Sequence, residues 1–426
     1  MSDSLKRRHS RWYEIILFNS FFQFFLGFAV VVLLPNWLRL GEQLFIWHLN
    51  VAEFNTLMAN SVAYCVSFFV LHKFKRFPGT RSLPFIIPTI LTAWFVVFSI
   101  LLFLREENYT RQILMYSFLL ANLWAFAGTF FSRRLTKPKL ALVPFGRALE
   151  LVDTEHAIIT LLDETDLDGR RYDGVVADLH SDDLPNEWER FLARCTLARI
   201  PVFHTQQLTE SLTGRVKIDH LSENSFGSLQ PSAFYSSFKR IIDFLCVFLL
   251  LPIFLPIMLA TAVAVKLDSK GGIFYTQRRM GYRGKAFTMY KFRSMRNDIE
   301  GKGFTAGEED PRITKVGSII RKYRIDELPQ ILNVLKGDMS FIGPRPESLE
   351  LSLWYEKDVS FFSYRHVVRP GLSGWAQVNQ GYAAEVEGMT VKLQYDFYYI
   401  KHFSLWLDIL IVVKTIRTIL TGFGAR

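Results

Sequence analysis

Two adjacent carboxylates, Asp326 and Glu327, give this sequence its clearest capacity for chemistry. They follow a basic segment that ends at Arg324 and precede a Gly-Pro-Arg-Pro turn that carries Arg345. Carboxylates bind hard metal ions, whereas guanidinium groups bind phosphate through paired hydrogen bonds. The pattern indicates a site that handles a phosphorylated compound; the alternative is simple capping, because acidic residues often occupy the first turn of a helix.

The residues around the pair predict a short helix. Apolar residues recur at helical spacing from 325 to 335, Asp326 is a good N-cap, and Pro329 is tolerated in a first turn. We expect the helix to begin near Glu327 and to end at Gly337. Neighbouring helical side chains point about 100° apart, so the two carboxylates are expected to have different roles. The hypothesis is one nucleophile and one metal ligand.

This part of the chain resembles a known family. Residues 326–330 read Asp-Glu-Leu-Pro-Gln and residues 341–346 read Phe-Ile-Gly-Pro-Arg-Pro. Both resemble the catalytic core of the large monotopic polyprenyl-phosphate phosphoglycosyl transferases, which are bacterial sugar transferases. Further matching blocks lie at residues 272–281, 284–287, 291–295, 310–317, 369–380, 395–400 and 403–408. The resemblance covers about residues 238–426.

The resemblance implies a reaction in two steps. In the family, an aspartate attacks the β-phosphate of a UDP-sugar and releases UMP, and polyprenyl phosphate then takes the sugar phosphate from the enzyme. By this resemblance Asp326 is the nucleophile and Glu327 the ligand of Mg²⁺. The phosphate-binding residues that it implies are Arg321, Arg345, Lys291 and Arg293.

The resemblance also implies the partners. The donor is expected to be a UDP-hexose, with glucose and galactose first and N-acetylated sugars left open, and the acceptor undecaprenyl phosphate. The product would initiate exopolysaccharide, capsule or O-antigen synthesis. Two alternatives stay open: a catalytically silent membrane scaffold, and a glycosyl transferase that releases UDP. The oligomeric state, a homodimer included, is also open.

Composition agrees with a membrane protein. The chain has 426 residues, half of them hydrophobic, and a mean hydropathy of +0.16. A net charge of +10 accompanies no nucleic-acid-binding motif, so anionic lipids and phosphorylated substrates are the expected partners and nucleic acid is not. The cysteines, Cys65, Cys195 and Cys246, are far apart and predict neither a disulfide nor a metal site.

Four apolar runs in residues 1–135 predict a four-helix membrane unit. They cover residues 13–34, 54–71, 83–104 and 113–131, and each approaches the ~20 residues that cross a bilayer. Basic residues cluster at the N-terminus, in the loop at 73–81 and at 133–139. The positive-inside rule therefore places both ends of this unit in the cytoplasm, at the bacterial inner membrane.

Residues 136–232 predict a small cytoplasmic α/β, Rossmann-like domain. Short apolar strands are expected at 140–143, 158–162 and 174–177, and a helix at 188–198. No glycine-rich nucleotide motif occurs, so regulation, assembly or scaffolding is the expected role. The histidines of this region, His156, His180, His204 and His220, are scattered and are interpreted as ordinary histidines rather than a metal cluster.

Residues 233–426 are expected to form a monotopic catalytic domain, so the fold class is membrane α+β. An apolar run at 244–265 is long enough to be a fifth transmembrane helix, but a fifth crossing would place Asp326 outside the cytoplasm. We therefore expect a re-entrant helix over 237–267, bent at Pro252 and Pro256. Pro256 matches the family's Ser-Pro break, although Leu255 replaces the serine.

Overall fold

A computed structural model describes residues 5, 7–8, 11–41, 49–74, 77–78, 86–103, 109–135, 138–151, 157–181, 183–217, 230–296, 310–380 and 386–421. The chain divides into two compact units, Met1–Gly214 and Arg215–Arg426. Among the described residues, three candidate membrane spans lie in the first unit and one in the second. The predicted domain limits, 1–135, 136–232 and 233–426, remain predictions.

The first unit begins with helices where the four apolar runs were predicted. Their bounds are α1 Trp12–Phe18, α2 Ser20–Phe28, α3 Leu34–Leu40, α4 Val51–Phe74, α5 Ile86–Phe103 and α6 Arg111–Leu135. A π-helical turn, Ala29–Leu33, joins α2 to α3 directly before Pro35. Proline lacks an N–H and its ring collides with the preceding turn, and the wider turn accommodates both effects.

Three of these helical segments are long and apolar enough to cross a membrane: Ser20–Arg39, Val51–Phe74 and Arg111–Phe130. Helix α5 contains a shorter apolar stretch, Thr89–Leu102. The helices pack through small residues, as is common in membranes. A Cβ on Gly27 would lie 2.2 Å from the Tyr64 hydroxyl oxygen, and that hydroxyl donates to the Phe24 carbonyl at 3.0 Å.

The rest of this unit is a parallel sheet with helices. Its elements are β1 Lys139–Leu142, a 3₁₀ turn Gly146–Leu151, β2 Ile158–Leu161, β3 Gly174–Ala177, α7 Asn186–Leu197, β4 Val202–His204 and α8 Thr205–Thr213. The strand order is β2-β1-β3-β4, and every pairing is parallel. The predicted strands and helix are confirmed, whereas β4 and α8 were not predicted. The Rossmann-like description remains a prediction.

Alternating residues of these strands cover the two faces of the sheet. Ala141, Val175 and Ala177 pack with Trp188 and Phe191 of α7. The intervening residues Leu140, Leu142 and Val176 pack with Leu208 of α8. Successive strand residues point to opposite faces, so a sheet buried on both faces has continuous apolar strands.

Two of the histidines that were interpreted as scattered, His180 and His204, lie next to each other. His180 Nδ1 and His204 Nε2 lie 2.7 Å from each other. His156 and His220 lie outside the described residues.

The second unit contains one long helix and a compact mixed domain. Its helices are α9 Ala233–Asp268, α10 Lys315–Lys322, α11 Ile331–Lys336, α12 Leu349–Asp358, α13 Trp375–Asn379, α14 Val386–Lys401 and α15 Leu405–Thr421. Its strands are β5 Phe274–Met280, β6 Ala286–Phe292, β7 Ser340–Ile342 and β8 Gly371–Ser373. Strands β5 and β6 form an antiparallel hairpin, and β7 pairs with β8 in parallel.

Helix α9 is a candidate membrane span of 36 residues. Only 11% of its most apolar window is buried, against 22–33% for the three spans of the first unit. Pro252 and Pro256 both lie inside an uninterrupted helix. The predicted re-entrant break is therefore not seen as an interruption, and re-entrance remains a prediction.

Both ends of α9 are bound to the compact domain of the same unit. Near its start, Arg240 Nη2 donates to the Leu335 carbonyl of α11 at 2.8 Å. At its end, the Asp268 carboxylate accepts the Val316 N–H of α10 at 3.1 Å. Helix α9 is thus an exposed apolar helix that is fixed at its two ends.

Helix α15 buries two of its charged residues, Asp408 and Lys414, against the protein. Asp408 is buried and accepts hydrogen bonds from Tyr235 at 2.6 Å and Tyr399 at 2.8 Å. Lys414 is also buried and donates to Asn379 at 2.6 Å. These charges stabilise the domain rather than forming a solvated face.

Candidate active site

The carboxylate pair lies in a 3₁₀ turn, Ile325–Gln330, between α10 and α11. Arg324 is the N-cap of this turn and has a left-handed backbone, with φ of 55°. The predicted N-cap role of Asp326 is therefore wrong. Helix α10 ends at Lys322, and Arg324, two residues before Asp326, is the N-cap of the next turn. Gly337 does end α11, with φ of 90°, as predicted.

Apolar neighbours fix the turn on both sides of the pair. Ile325 and Leu328 pack on a cluster that includes Phe292 and Val265. Ile331 is fully buried in a second cluster with Phe287. Since these residues hold the backbone, Asp326 is left half-buried and Glu327 is 8% exposed.

Glu327 is surrounded by cations. Its Oε1 accepts from Lys291 Nζ at 2.8 Å and from Arg345 Nη2 at 2.6 Å, and its Oε2 lies 3.8 Å from Arg324 Nη1. Burial alone would raise the pKa of Glu327, but Arg345 and Lys291 outweigh burial and hold that pKa well below its ordinary value. Glu327 is therefore ionised at neutral pH.

The pKa of Asp326 is shifted in the opposite direction. Burial raises its pKa above the ordinary value, and the neighbouring Glu327 charge adds to the rise, while Lys291, Arg345 and Arg321 oppose it. Two adjacent carboxylates whose pKa values are pushed apart are typical of groups with different chemical roles. This contrast agrees with the hypothesis of one nucleophile and one metal ligand.

Two short backbone approaches position Arg345. Gly343 and Gly371 lie where β7 meets β8, and a Cβ on Gly371 would lie 2.1 Å from the Gly343 nitrogen. Only glycine allows this contact. Arg365 then donates to the Arg345 carbonyl at 2.9 Å, so the backbone of the turn is held from both sides.

Arg293 is not brought to the pair. Its guanidinium donates to the carbonyls of Ser269 at 2.7 Å and Lys270 at 2.8 Å, just beyond α9, and its side chain is buried. Of the predicted residues, Lys291 and Arg345 contact the pair, and the charge of Arg321 acts on Asp326. Arg293 is placed to hold the end of α9 instead.

Sequence reasoning missed two features of the site. Arg324 is visibly basic in the sequence, but nothing there shows its left-handed backbone. A buried ion-pair group behind Arg345 was also missed, because its members come from distant segments. Its members are Glu347, Arg365, Lys392 and Asp396.

The residues fit a magnesium ion under one condition. Glu327 offers one ionised carboxylate, and Mg²⁺ is commonly held by one or two carboxylates together with substrate phosphates. Lys291 and Arg345 now bind Glu327 Oε1. They must turn to phosphate oxygens when Glu327 binds a metal ion, so the fit requires a phosphorylated substrate.

Comparison with known proteins gives the family. The model of the family described as "Bacterial sugar transferase" matches residues 234–422. The UDP-N-acetylgalactosamine-undecaprenyl-phosphate N-acetylgalactosaminephosphotransferase of Aeromonas hydrophila is 50% identical over 424 residues, which are 99% of this chain and 100% of that protein.

Two other relatives each match less than half of the chain. The UDP-glucose:undecaprenyl-phosphate glucose-1-phosphate transferase of Xanthomonas campestris pv. campestris is 49% identical over 164 residues, 38% of this chain and 34% of that protein. An uncharacterized sugar transferase of Bacillus subtilis, EpsL, is 42% identical over 189 residues, 44% of this chain and 90% of that protein. With a relative similar along its whole length, the chain belongs to the bacterial sugar transferase family and is an enzyme of the transferase class.

Proposed function

We propose that the enzyme transfers a sugar 1-phosphate from a UDP-sugar to undecaprenyl phosphate and releases UMP. The observation that carries this proposal is the geometry of the Asp326–Glu327 pair, in which Glu327 accepts from Lys291 at 2.8 Å and from Arg345 at 2.6 Å beside the half-buried Asp326. The substrates are those in the names of the relatives from Aeromonas hydrophila and Xanthomonas campestris.

In the first step, an Asp326 carboxylate oxygen attacks the β-phosphorus of the donor. The bond from that phosphorus to the bridging oxygen breaks, and UMP leaves with the electron pair. In the second step, a phosphate oxygen of the acceptor attacks the same phosphorus and the aspartate oxygen leaves as a carboxylate. A carboxylate is a weak nucleophile, so its in-line position must supply much of the rate.

The cations neutralise the charge that passes through the site. Lys291 and Arg345 are within hydrogen-bond distance of Glu327 and act on Asp326, so a diphosphate bound there would meet the same donors. Arg321 adds a third charge. Held by Glu327, Mg²⁺ would supply Lewis-acid neutralisation of the diphosphate. Arg293 takes a positioning role in this proposal.

We also propose that α9 enters the membrane and returns to the cytoplasmic face. Arg240 and Asp268 both bind the segment that contains α10 and α11, although a straight helix between them would be about 42 Å long. A helix that crossed a ~30 Å hydrocarbon core could not have both ends bound on one side. Pro252 and Pro256 are the residues where it would bend.

The sugar is proposed to be a hexose. UDP-N-acetylgalactosamine comes first in a donor screen, because the relative that acts on it is similar along its whole length, and UDP-glucose and UDP-galactose follow. The test incubates purified enzyme with each donor and undecaprenyl phosphate and identifies the nucleotide released, with Asp326→Asn as the matched control.

The account expects UMP from at least one donor. Release of UDP would contradict it in favour of direct glycosyl transfer. A protein that releases no nucleotide with any UDP-hexose, in the presence of Mg²⁺ and acceptor, would instead support the silent scaffold.

A further inference from the structure

Three side chains of types that commonly bind metals converge at the carboxyl end of the parallel sheet in the first unit. Asp178 directly follows β3, His180 comes two residues later, and His204 is the last residue of β4. Their ligand atoms all lie within 4.8 Å of one another. Ligands of open parallel sheets bind at this edge, beyond the carboxyl ends of the strands. We call these three residues the histidine cluster.

The geometry of the histidine cluster is close to that of a coordination site. His204 Nε2 lies 2.7 Å from His180 Nδ1 and 3.5 Å from Asp178 Oδ1. Tetrahedral ligands at 2.0–2.2 Å from a zinc ion are about 3.4 Å apart. Two of the three donor separations therefore lie within about 0.7 Å of the tetrahedral value, and the third is no longer than 4.8 Å.

The Asp178 carboxylate is held in place by its own surroundings. It is buried, its Oδ2 accepts the Arg147 N–H at 3.0 Å, and its Oδ1 accepts the His180 N–H at 3.3 Å. Gly146 lies against it with φ of 59°, and a Cβ there would be 2.6 Å from Asp178 Oδ2. His180 is exposed, so a coordination position stays open to solvent.

We propose that the histidine cluster binds one divalent transition-metal ion of the zinc type. Two imidazole nitrogens and one carboxylate oxygen suit Zn²⁺ better than Mg²⁺, which prefers oxygen ligands. This site is separate from the proposed Mg²⁺ site at Glu327. Such an ion would tie the loop after β3 to the end of β4, and so would stabilise the small domain by binding its folded form.

Metal binding must change one hydrogen bond. Gln206 N–H donates to His204 Nδ1 at 3.1 Å, so the ring proton of neutral His204 is on Nε2 and points to His180 or Asp178. Coordination through Nε2 moves that proton to Nδ1, where it displaces the Gln206 N–H. The first turn of α8 is therefore expected to loosen when the ion binds.

The test uses the full chain, purified without a histidine tag, stripped with chelator and titrated with Zn²⁺. Every variant also carries Glu327→Gln, which removes the other proposed metal ligand. We expect one Zn²⁺ per chain, with two imidazole nitrogens and at least one oxygen at about 2.0 Å in X-ray absorption. His180→Ala changes an exposed side chain and should weaken binding by at least about 30-fold.

Asp183→Asn is the matched control, because it removes an exposed carboxylate from the same loop and should leave zinc affinity unchanged. Two results would overturn the proposal. One is equal zinc affinity of the parent and His180→Ala, and the other is the absence of stoichiometric binding at micromolar Zn²⁺. The second result would leave the three side chains as a hydrogen-bonded cap of α8.

Discussion

Two buried ion-pair groups lie side by side in the second unit, and they differ in access to solvent. The dyad cluster consists of Asp326, Glu327, Lys291 and Arg345. The inner network consists of Glu347, Arg365, Lys392 and Asp396. Only the residue Pro346 separates Arg345 of the first from Glu347 of the second.

The two groups differ in how far their arginine side chains are exposed to solvent. The Arg345 side chain is 30% exposed, whereas the Arg365 and Asp396 side chains, 2.8 Å apart, are 2% and 1% exposed. A charge that reaches solvent, such as Arg345, can exchange its protein partner for a substrate phosphate, and the fully buried Arg365–Asp396 pair cannot. This difference favours partner exchange at Arg345 and a structural role for Arg365, which also donates to the Arg345 carbonyl at 2.9 Å.

Each group contains one carboxylate with a raised pKa and one with a lowered pKa. Burial raises the pKa of Asp396, and Lys392 and Arg365 overcome burial to lower the pKa of Glu347 to about 2. A shifted pKa alone does not identify a catalytic group, because structural networks produce the same shifts. Variants of the two groups should separate these roles.

The largest expected effect is that of Asp326→Asn. It removes the nucleophile, so UMP release should fall by at least about 10⁴-fold. The thermal unfolding temperature should not fall, because the variant loses a half-buried carboxylate whose pKa is raised. UMP release and thermal unfolding are measured on the same detergent-solubilised sample. Near-normal turnover would remove Asp326 from its proposed role.

The next largest effect is expected for Arg365→Met, which should lower the free energy of unfolding. Removing Arg365 leaves the buried Asp396 without its ion-pair partner, whereas Glu347 keeps Lys392, and should cost about 3–5 kcal/mol of unfolding free energy. Denaturant unfolding measures this loss. Arg278→Met, at an exposed position of β5, is the matched control and should change stability by less than about 0.5 kcal/mol. Equal unfolding free energies of the two variants would show that the inner network does not stabilise the domain.

Glu327→Gln tests the dyad cluster itself. It leaves Lys291 and Arg345 without their anion and weakens the proposed metal site, so kcat should fall by about 10²–10³-fold, or roughly 2.7–4 kcal/mol. The concentration of Mg²⁺ that gives half-maximal rate should rise. Steady-state UMP release at several Mg²⁺ concentrations measures both. A rate that persists in EDTA for the parent enzyme would speak against Glu327 as a metal ligand.

The smallest effect is a displaced pH profile. Asp326 must be ionised to attack, so activity should be lost as pH falls through its raised pKa. Lys291 lowers that pKa, and Lys291→Met should therefore raise it and move the acid limb of the kcat/KM profile to higher pH. An acid limb that stays in place, or moves to lower pH, would show that another group controls it.

The sequence predicted the parts of this protein that depend on local pattern. The apolar helices, the strands at 140–143 and 174–177 and the stop at Gly337 follow from runs, periodicity and a single glycine, and the structure has them. Asp326 and Glu327 are adjacent in the chain, so the pair was visible as a motif. Lys291 and Arg345 were included through the family resemblance.

The features that were missed depend on the folded chain. Arg293 is basic like Lys291, but it lies two residues further along the chain and caps the end of α9 instead of facing the pair. His180 and His204 are 24 residues apart and meet because β3 and β4 are adjacent parallel strands. Sequence spacing does not give strand order, so neither contact was predictable.

The central claim is that Asp326 carries the sugar phosphate between the two steps. Mass spectrometry of enzyme treated with UDP-sugar and Mg²⁺, then acid-quenched before acceptor is added, tests it directly. We predict the mass of the donor's sugar phosphate on the peptide that contains Asp326, lost again on addition of undecaprenyl phosphate and missing from Asp326→Asn. An unmodified peptide from enzyme that forms the lipid product at the full rate would contradict the claim.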